Sequence, residues 1–197
     1  MGCDIHMYLE KKNNKGVWKS LDYYKKSDYY ECGFEVVPIY DGRNYSLFSV
    51  LANVRNYGNN EPICEPKGIP NDCCEDIMKE YEKWGCDAYS ASYFTLKELK
   101  EYKSTHKFTK FRGMISQEQI KQLENGIKPN SWCQGTNMEG YEFREWTEEY
   151  CELDPIIESM EKRICDECWI WYETEEEKQE KLKKYEDDIR IVFWFDN

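Results

Sequence analysis

The stretch MGCDIHMYLE, residues 1–10, is a strand-like run whose alternation decides how the fold is built. Side chains of a strand point alternately to its two faces. One face is therefore apolar and consists of Cys3, Ile5, Met7 and Leu9. The other face carries Asp4, His6, Tyr8 and Glu10. A strand with one apolar face must be covered by other elements, so the pattern predicts a packed sheet.

The run IRIVFWFDN, residues 189–197, is the second strand on which the fold depends. It is apolar on both faces at its middle, which is typical of an interior strand. We therefore expect it to lie in the same sheet as residues 3–10, as their neighbour. Several helical patterns separate the two strands. The sequence thus predicts an α+β fold with one sheet that contains both terminal strands and is packed by several helices, as a single domain over 1–197.

The segments between these strands carry recognisable start and stop signals. A turn at 13–16 predicts a hairpin with a returning strand at 17–21, and a short strand is expected around 34–37. Helices are predicted after 41–45, over about 72–83, after the Thr95-x-x-Glu98 capping box and after Ser116. An apolar stripe at helical spacing predicts one long helix over about 142–172, which Pro155 would kink or restart.

Charge and cysteine usage exclude several classes of function. The net charge of −12 over 197 residues disfavours nucleic acids and anionic membranes as partners. The sequence shows no leader and no membrane-spanning run, so a cytoplasmic location with reduced thiols is expected. Among ten cysteines, Cys165 and Cys168 form the single CxxC pair, which is too little for a zinc site. We expect neither a metal nor a cofactor.

Four polar clusters border the predicted elements and form the candidate site. They are Asp4 with His6; Arg43, Asn44 and Tyr45; Asn53, Arg55 and Asn56; and Asp87, Tyr89, Ser90 and Ser92. An arginine and amides beside the start of a helix suit an anion. We expect Asp4, His6, Arg43, Asn44 and at least one of the two serines to line a common pocket. The alternatives are a structural Asp4–His6 pair and an Arg43 salt bridge that holds a loop.

A resemblance supports a biological setting for this chain. MGCDIHMYLE, DGRNYSLFSVLANVRN, PKGIP, SASYFTLKEL and RIVFWFDN together resemble a family of small, largely uncharacterised bacteriophage and prophage proteins. The family often carries His where this chain has Tyr89, which weakens a histidine-rich metal centre here. The resemblance implies a phage accessory gene that acts in the infected host cell. It implies no defined activity.

The sequence leaves three functions open. The first is a phage accessory protein that counters host defence by binding and sequestering a small anionic ligand, expected to be a nucleotide immune signal. The abundant aromatic residues suit base stacking. The second is a metal-dependent hydrolase or phosphodiesterase that uses Asp4 and His6. The third is an acidic protein-binding inhibitor of a host factor. A homo-oligomer is compatible with each of them.

Overall fold

The structure, a computed structural model, describes residues 2–26, 34–135, 138–149 and 152–197. Cys32 and Cys151 lie outside this part, as does Tyr150 of the predicted helical stripe. The strands are Asp4–Lys12 (β1), Trp18–Ser20 (β2), Tyr23–Lys26 (β3), Phe34–Val37 (β4), Tyr89–Thr95 (β5), Phe108–Ser116 (β6), Tyr141–Glu149 (β7) and Ile189–Asp196 (β8). The helices are Tyr45–Ala52 (α1), Glu75–Trp84 (α2), Leu96–Thr105 (α3), Gln117–Glu124 (α4), Asp154–Glu167 (α5) and Glu175–Leu182 (α6). Two short 3₁₀ turns span Gly85–Asp87 and Lys183–Tyr185.

The chain forms two compact units. Unit 1 comprises Met1–Arg43, Glu65–Thr105 and Leu153–Asn197, and unit 2 comprises Asn44–Cys64 and His106–Glu152. The assignment of 1–197 to a single domain stays a prediction. None of the helices in the described ranges is long and apolar enough to cross a membrane.

Unit 1 is built on a four-stranded antiparallel sheet in the order β2-β1-β8-β5. The predicted pairing of the two terminal strands is confirmed: β1 and β8 pair from Asp4↔Asp196 to Lys11↔Ile189. The α+β class is confirmed as well, since helices and an antiparallel sheet are combined. The central strand β8 is buried at every position from Ile189 to Phe195, as its two apolar faces predict.

Both faces of this sheet are covered. Ile5 and Met7 lie opposite Phe195 and Phe193, and all four side chains are buried. On the other face, Tyr8, Val192 and Trp194 form a buried cluster with Trp18, Ala91 and, from the start of α2 and the residue before it, Ile77 and Cys74. Because both faces of the sheet are covered, its central strand β8 has to be apolar on both faces.

A buried ionic network ties the sheet to the loop before α2. The Arg190 guanidinium donates to Glu10 Oε1 at 2.5 Å and to Asp72 Oδ1 at 2.8 Å. Glu10 is fully buried, and its Oε2 also accepts the backbone N–H of Cys74 at 2.8 Å. Trp18 Nε1 donates to Asp72 Oδ2 at 2.9 Å. The two buried charges are therefore paired and hydrogen-bonded, which is the condition for tolerating them in a core.

Unit 2 contains α1, α4 and a two-stranded sheet of β6 and β7. Its aromatic centre is Phe111 stacked on Trp146, with ring centroids 5.6 Å apart, and Trp132 set edge-on to both. Gly113 permits this packing, because a Cβ there would lie 2.6 Å from the Trp132 ring. Asn60 covers the edge of β6 with its side-chain amide, which accepts from Lys110 N and donates to Lys110 O.

The predicted helix over about 142–172 is wrong in its N-terminal part. Residues 141–149 form β7, and the helix α5 begins at Asp154, with Pro155 in its first turn. Of the predicted stripe, Leu153, Ile157, Met160 and Ile164 are buried core residues, whereas Trp171 is 78% exposed. The reason is that Tyr, Phe, Trp and Thr in 141–147 favour a strand, and β7 gains backbone pairing from β6.

Candidate functional site

The first candidate is the end of the sheet where β1 begins. Arg43 donates from Nε to Asp4 Oδ1 at 2.8 Å and from Nη2 to Oδ2 at 2.6 Å. The hydrogen bond to this guanidinium lowers the pKa of Asp4. Gly2 allows the guanidinium to approach, because a Cβ on that residue would lie 2.5 Å from Arg43 Nη1. Arg43 therefore forms a salt bridge with Asp4, which was the alternative to its binding an anionic ligand.

His6 lies on the same face, between aromatic rings. Its ring centroid is 4.1 Å from that of Trp84 and 5.9 Å from that of Trp194. His6 Nε2 is 3.7 Å from Asp196 Oδ2, which is within ion-pair range but beyond hydrogen-bond length. Burial lowers the pKa of His6, although the Asp196 carboxylate opposes the shift. His6 Nε2 and Asp196 Oδ1 are buried and have no hydrogen-bond partner in the described chain.

Tyr89 completes this end of the sheet from β5. Its hydroxyl is 2.9 Å from the buried thiol of Cys3 and donates to Asn197 Oδ1 at 3.4 Å. Asp4, His6, Arg43 and Tyr89 thus lie at one end of unit 1, and we name them the strand-end cluster. Within the described residues, no group of three or more His, Cys, Asp or Glu side chains is arranged to hold a metal ion.

The remaining predicted residues of unit 1 have local roles. Ser92 is fully buried, and its hydroxyl accepts the backbone N–H of Lys67 at 3.2 Å. Ser90 adopts a left-handed backbone conformation, with φ 48°, in the irregular stretch where β5 shifts register between Tyr89 and Ser92. Asp87 is exposed in the 3₁₀ turn that precedes β5.

The predicted residues of unit 2 shape helix α1 and its ends. Asn44 is the N-cap: its Oδ1 accepts from the backbone of the first turn, and its Nδ2 donates to Glu152 Oε2 at 2.6 Å. Tyr45 packs against the rings of Phe48 and Tyr57. Asn53 ends the helix with φ 57°, and Arg55 follows with φ 52°. Asn44, Tyr45 and Asn53 thus have structural roles at α1.

A second candidate site, which the sequence did not predict, is a cavity of about 830 Å³ beside α5 in unit 1. We name it the aromatic groove. It is lined by Glu158, Lys162, Cys165, Asp166, Trp169, Ile170, Trp171, Tyr172 and Lys178. Four of these residues recur at helical spacing on one face of α5, and the aromatic residues come from the segment that follows this helix.

The end of α5 explains why the aromatic residues are exposed. Trp169 has a φ of 52°, the left-handed conformation that usually requires glycine after a helix. The N–H of Ile170 donates to Cys165 O at 2.9 Å, which closes the helix in the pattern of a Schellman motif. Trp169 and Trp171 are each 78% exposed, and Tyr172 is 46% exposed. A bulky residue in this conformation is uncommon and points to a role beyond the fold.

The charges of the groove are nearly balanced. Lys178 is bound by Glu161 at 2.7 Å and by Glu175 at 3.1 Å. Burial lowers the pKa of Lys178, but the hydrogen bonds to these carboxylates outweigh it and raise the pKa overall. Lys162 is exposed, and no partner for its ammonium group is found in the described part of the chain. Glu158 and Asp166 supply two carboxylates on the same helix face.

The sequence contained only partial signals for this groove. The CxxC pair and Trp171 mark its position, but both fit an apolar core stripe equally well. The eight described cysteines are free thiols, and Cys165 is buried beside the groove.

No family model, curated protein or solved structure matches this chain. The groove therefore has to be interpreted from its own chemistry.

Proposed function

We propose that the protein acts by binding rather than by catalysis, and that the aromatic groove holds a nucleotide of low total negative charge. The observation that carries the proposal is Trp169, which is held in a left-handed conformation and presents an almost fully exposed ring to the groove. With the phage resemblance, this leads to the proposed role: a phage-encoded accessory protein in the cytoplasm of the infected cell that sequesters a nucleotide signal of the host.

The size and lining of the groove support such a ligand. Small-molecule sites commonly enclose about 300–1,000 Å³ and are lined by aromatic side chains with a few polar groups. The groove is open to one side, and its volume of about 830 Å³ lies within this range. A base that stacks on Trp169 or Trp171 gains roughly 1–3 kcal/mol for each stacking contact. Stacking would therefore provide most of the affinity.

The polar groups of the groove restrict the ligand further. Lys162 can make one charge-assisted contact to a phosphate. Glu158 and Asp166 can accept hydrogen bonds from exocyclic amino groups of a base, but they repel additional negative charge. We therefore expect a nucleoside monophosphate or a cyclic phosphodiester to bind more tightly than the corresponding triphosphate.

The strand-end cluster is a weaker candidate for an anion. Arg43 is already held by both oxygens of Asp4. An anionic ligand would have to displace this carboxylate or share the guanidinium with it, close to the further carboxylate of Asp196. The cluster thus gives less support to the original anion-binding prediction than the groove does.

Titration of tryptophan fluorescence with AMP, cyclic AMP and ATP tests the proposal. We expect saturable quenching, a lower affinity for ATP than for AMP, and loss of binding in Trp169→Gly. Lys162→Met should weaken the binding of AMP about tenfold, because it removes a charge-assisted contact, and Lys162→Arg should retain it. Equal affinities of the wild type and Trp169→Gly would refute the groove as the site.

The same samples test the hydrolase. The nucleotides are recovered after incubation and separated by chromatography. Intact nucleotide supports a binding protein. Product that disappears in His6→Ala would instead assign a general base to the strand-end cluster, since His6 has a lowered pKa and its Nε2 has no hydrogen-bond partner among the described residues.

One observation favours the acidic inhibitor as a second candidate. The exposed tryptophans are followed directly by the acidic run Glu173 and Glu175–Glu177. Exposed tryptophan and tyrosine residues with a charged rim are typical of protein-binding hot spots. Addition of oligolysine in the same fluorescence titration distinguishes the two: tight, salt-sensitive quenching by oligolysine without quenching by nucleotides would favour a basic protein partner.

A further inference from the structure

The two edges of the β6–β7 sheet in unit 2 are treated differently by the chain. On the β6 edge, the backbone of Met114 exchanges two hydrogen bonds with Cys133, at 2.8 and 3.2 Å. The side-chain amide of Asn60 satisfies the N–H and C=O of Lys110, at 2.8 and 3.0 Å. Gln134 donates to the carbonyl of Arg112. Five of the six outward N–H and C=O groups from Lys110 to Met114 are thus covered.

These contacts determine which backbone groups of β7 face outward. Successive residues of a strand direct their N–H and C=O groups to opposite sides. Because Lys110, Arg112 and Met114 point away from β7, their neighbours Phe111 and Gly113 bond to Trp146 and Arg144 in the observed register. The backbone groups of Phe143, Glu145 and Thr147 must therefore point away from β6.

The outward edge of β7 is nearly uncovered. Among the described residues, one side chain reaches an outward backbone group of β7, and this contact is local: Arg144 Nη1 donates to the carbonyl of Phe143 at 2.9 Å. In the described ranges, β6 is the one strand that pairs with β7, and six of the nine β7 residues are exposed. Natural proteins protect such an edge with charged side chains, lysine above all, with proline or with a bulge. The charged side chains of β7 are mainly glutamates, which deter an acidic strand but not a basic one. β7 contains no lysine and no proline, and its register is continuous from Tyr141 to Glu149.

We propose that the outer edge of β7 is a docking site for an extended, basic segment of a partner protein, which adds to the sheet as a third strand. This site is separate from the aromatic groove and does not depend on the proposed function. Strand addition gains affinity from main-chain hydrogen bonds, and the side chains provide specificity. β7 carries four glutamates and one arginine, so its net charge is −3. Glu142 and Glu148 are paired with Arg144 and Lys128 at 2.5 and 3.1 Å. The charge open to a partner is therefore carried by Glu149 and by Glu145, whose contact with Arg112 is longer at 3.7 Å. A strand with lysine at alternate positions complements this charge.

Pairing of β7 with a second copy of itself is disfavoured. In the antiparallel register that overlaps the whole strand, Glu145 would lie opposite its own copy. Glu142 of each copy would lie opposite Glu148 of the other copy. Like charges directly opposite each other destabilise a strand pair. The expected occupant is therefore a different chain.

Amide hydrogen exchange, measured on the full chain by NMR, tests the site. In the free protein, the amides of Arg144 and Trp146 should exchange slowly and those of Glu145 and Thr147 quickly. The probe is a ten-residue peptide that alternates valine with lysine. Its addition should slow the exchange of Glu145 and Thr147 at least tenfold. A peptide that alternates valine with glutamate is the control and should have no effect.

A matched pair of variants separates strand addition from charge attraction. Thr147→Pro removes an outward N–H without breaking the β6–β7 ladder, and should weaken binding of the lysine peptide at least tenfold. Thr147→Val keeps the N–H and should bind as the wild type does. Equal binding by both variants, or slow exchange of Glu145 and Thr147 before peptide is added, would overturn the proposal. A concentration-dependent dimer with protected β7 amides would overturn the choice of partner.

Discussion

Replacement of Trp169 by glycine should leave the protein as stable as the wild type or make it more stable, although it removes the largest natural side chain. Trp169 has a φ of 52°, and the left-handed conformation costs a residue with a Cβ about 1–2 kcal/mol. Glycine has no such cost. Because the side chain is 78% exposed, little buried apolar area is lost with it.

Trp171→Gly is the matched control for this prediction. Trp171 is also 78% exposed and also lines the groove, but its φ is not positive. Both variants gain the flexibility of glycine in the unfolded chain, which costs about 0.4–1 kcal/mol. Only Trp169→Gly also removes the cost of holding a residue with a Cβ in the left-handed backbone conformation. The free energy of unfolding should therefore be about 1–2 kcal/mol higher for Trp169→Gly than for Trp171→Gly.

Urea denaturation measures this difference. The three proteins are compared at one pH, and the slope of the free energy with urea should be the same for all, so that a shift in midpoint reports stability alone. A midpoint for Trp169→Gly equal to or below that of Trp171→Gly would refute the reasoning. It would mean that the conformation of Trp169 is not strained and that its exposure needs no functional explanation.

Three further outcomes are expected. Burial raises the pKa of Asp22 to about 7, so its contribution to the free energy of unfolding is complete below an unfolded-state pKa near 4 and is lost as the pH rises through 7. In Asp22→Asn, the decrease of the free energy of unfolding over this pH range should be smaller by up to ~4 kcal/mol, and pH–stability curves parallel to those of the wild type would contradict this. Arg190→Met leaves Glu10 buried and unpaired and should cost about 3–5 kcal/mol by urea denaturation, whereas the double variant with Glu10→Leu should recover at least half of this loss. Gly2→Ala should displace the guanidinium next to Asp4 and raise the pKa of that carboxyl toward its ordinary value in an NMR titration, with little change in Tm; an unchanged pKa would show that the side chain adapts without leaving.

The central sheet could be predicted because the apolar pattern of each strand shows which of its faces are buried. The alternation of residues 3–10 specifies one apolar face, and the apolar middle of 189–197 requires cover on both sides. The observed pairing of β1 with β8 follows from these two requirements. The capping signals at Thr95 and Ser116 also mark the starts of α3 and α4 correctly.

The site could be predicted less well, because a polar residue at the end of an element has two uses that look the same in sequence. Asn44 and Asn53 cap α1, and Arg43 pairs with Asp4. The N-terminal part of the helix predicted over about 142–172 is wrong, because an apolar stripe of large side chains also fits a strand when β6 is available as a partner. Nothing in the sequence signals that Trp169 takes a left-handed conformation, so the aromatic groove emerges only from the backbone.

The pairing of β1 with β8 has a consequence for how this protein is made. Glu10 and Arg190, which meet in the core, are separated by 180 residues of chain. At synthesis rates of about 5–20 residues per second, the ribosome needs on the order of 10 to 40 s to produce the second strand after the first. During this time β1, and β5 once it has been made, lack the strand that lies between them. Chaperones that hold nascent chains should therefore improve the yield of folded protein more than chaperones that act after release.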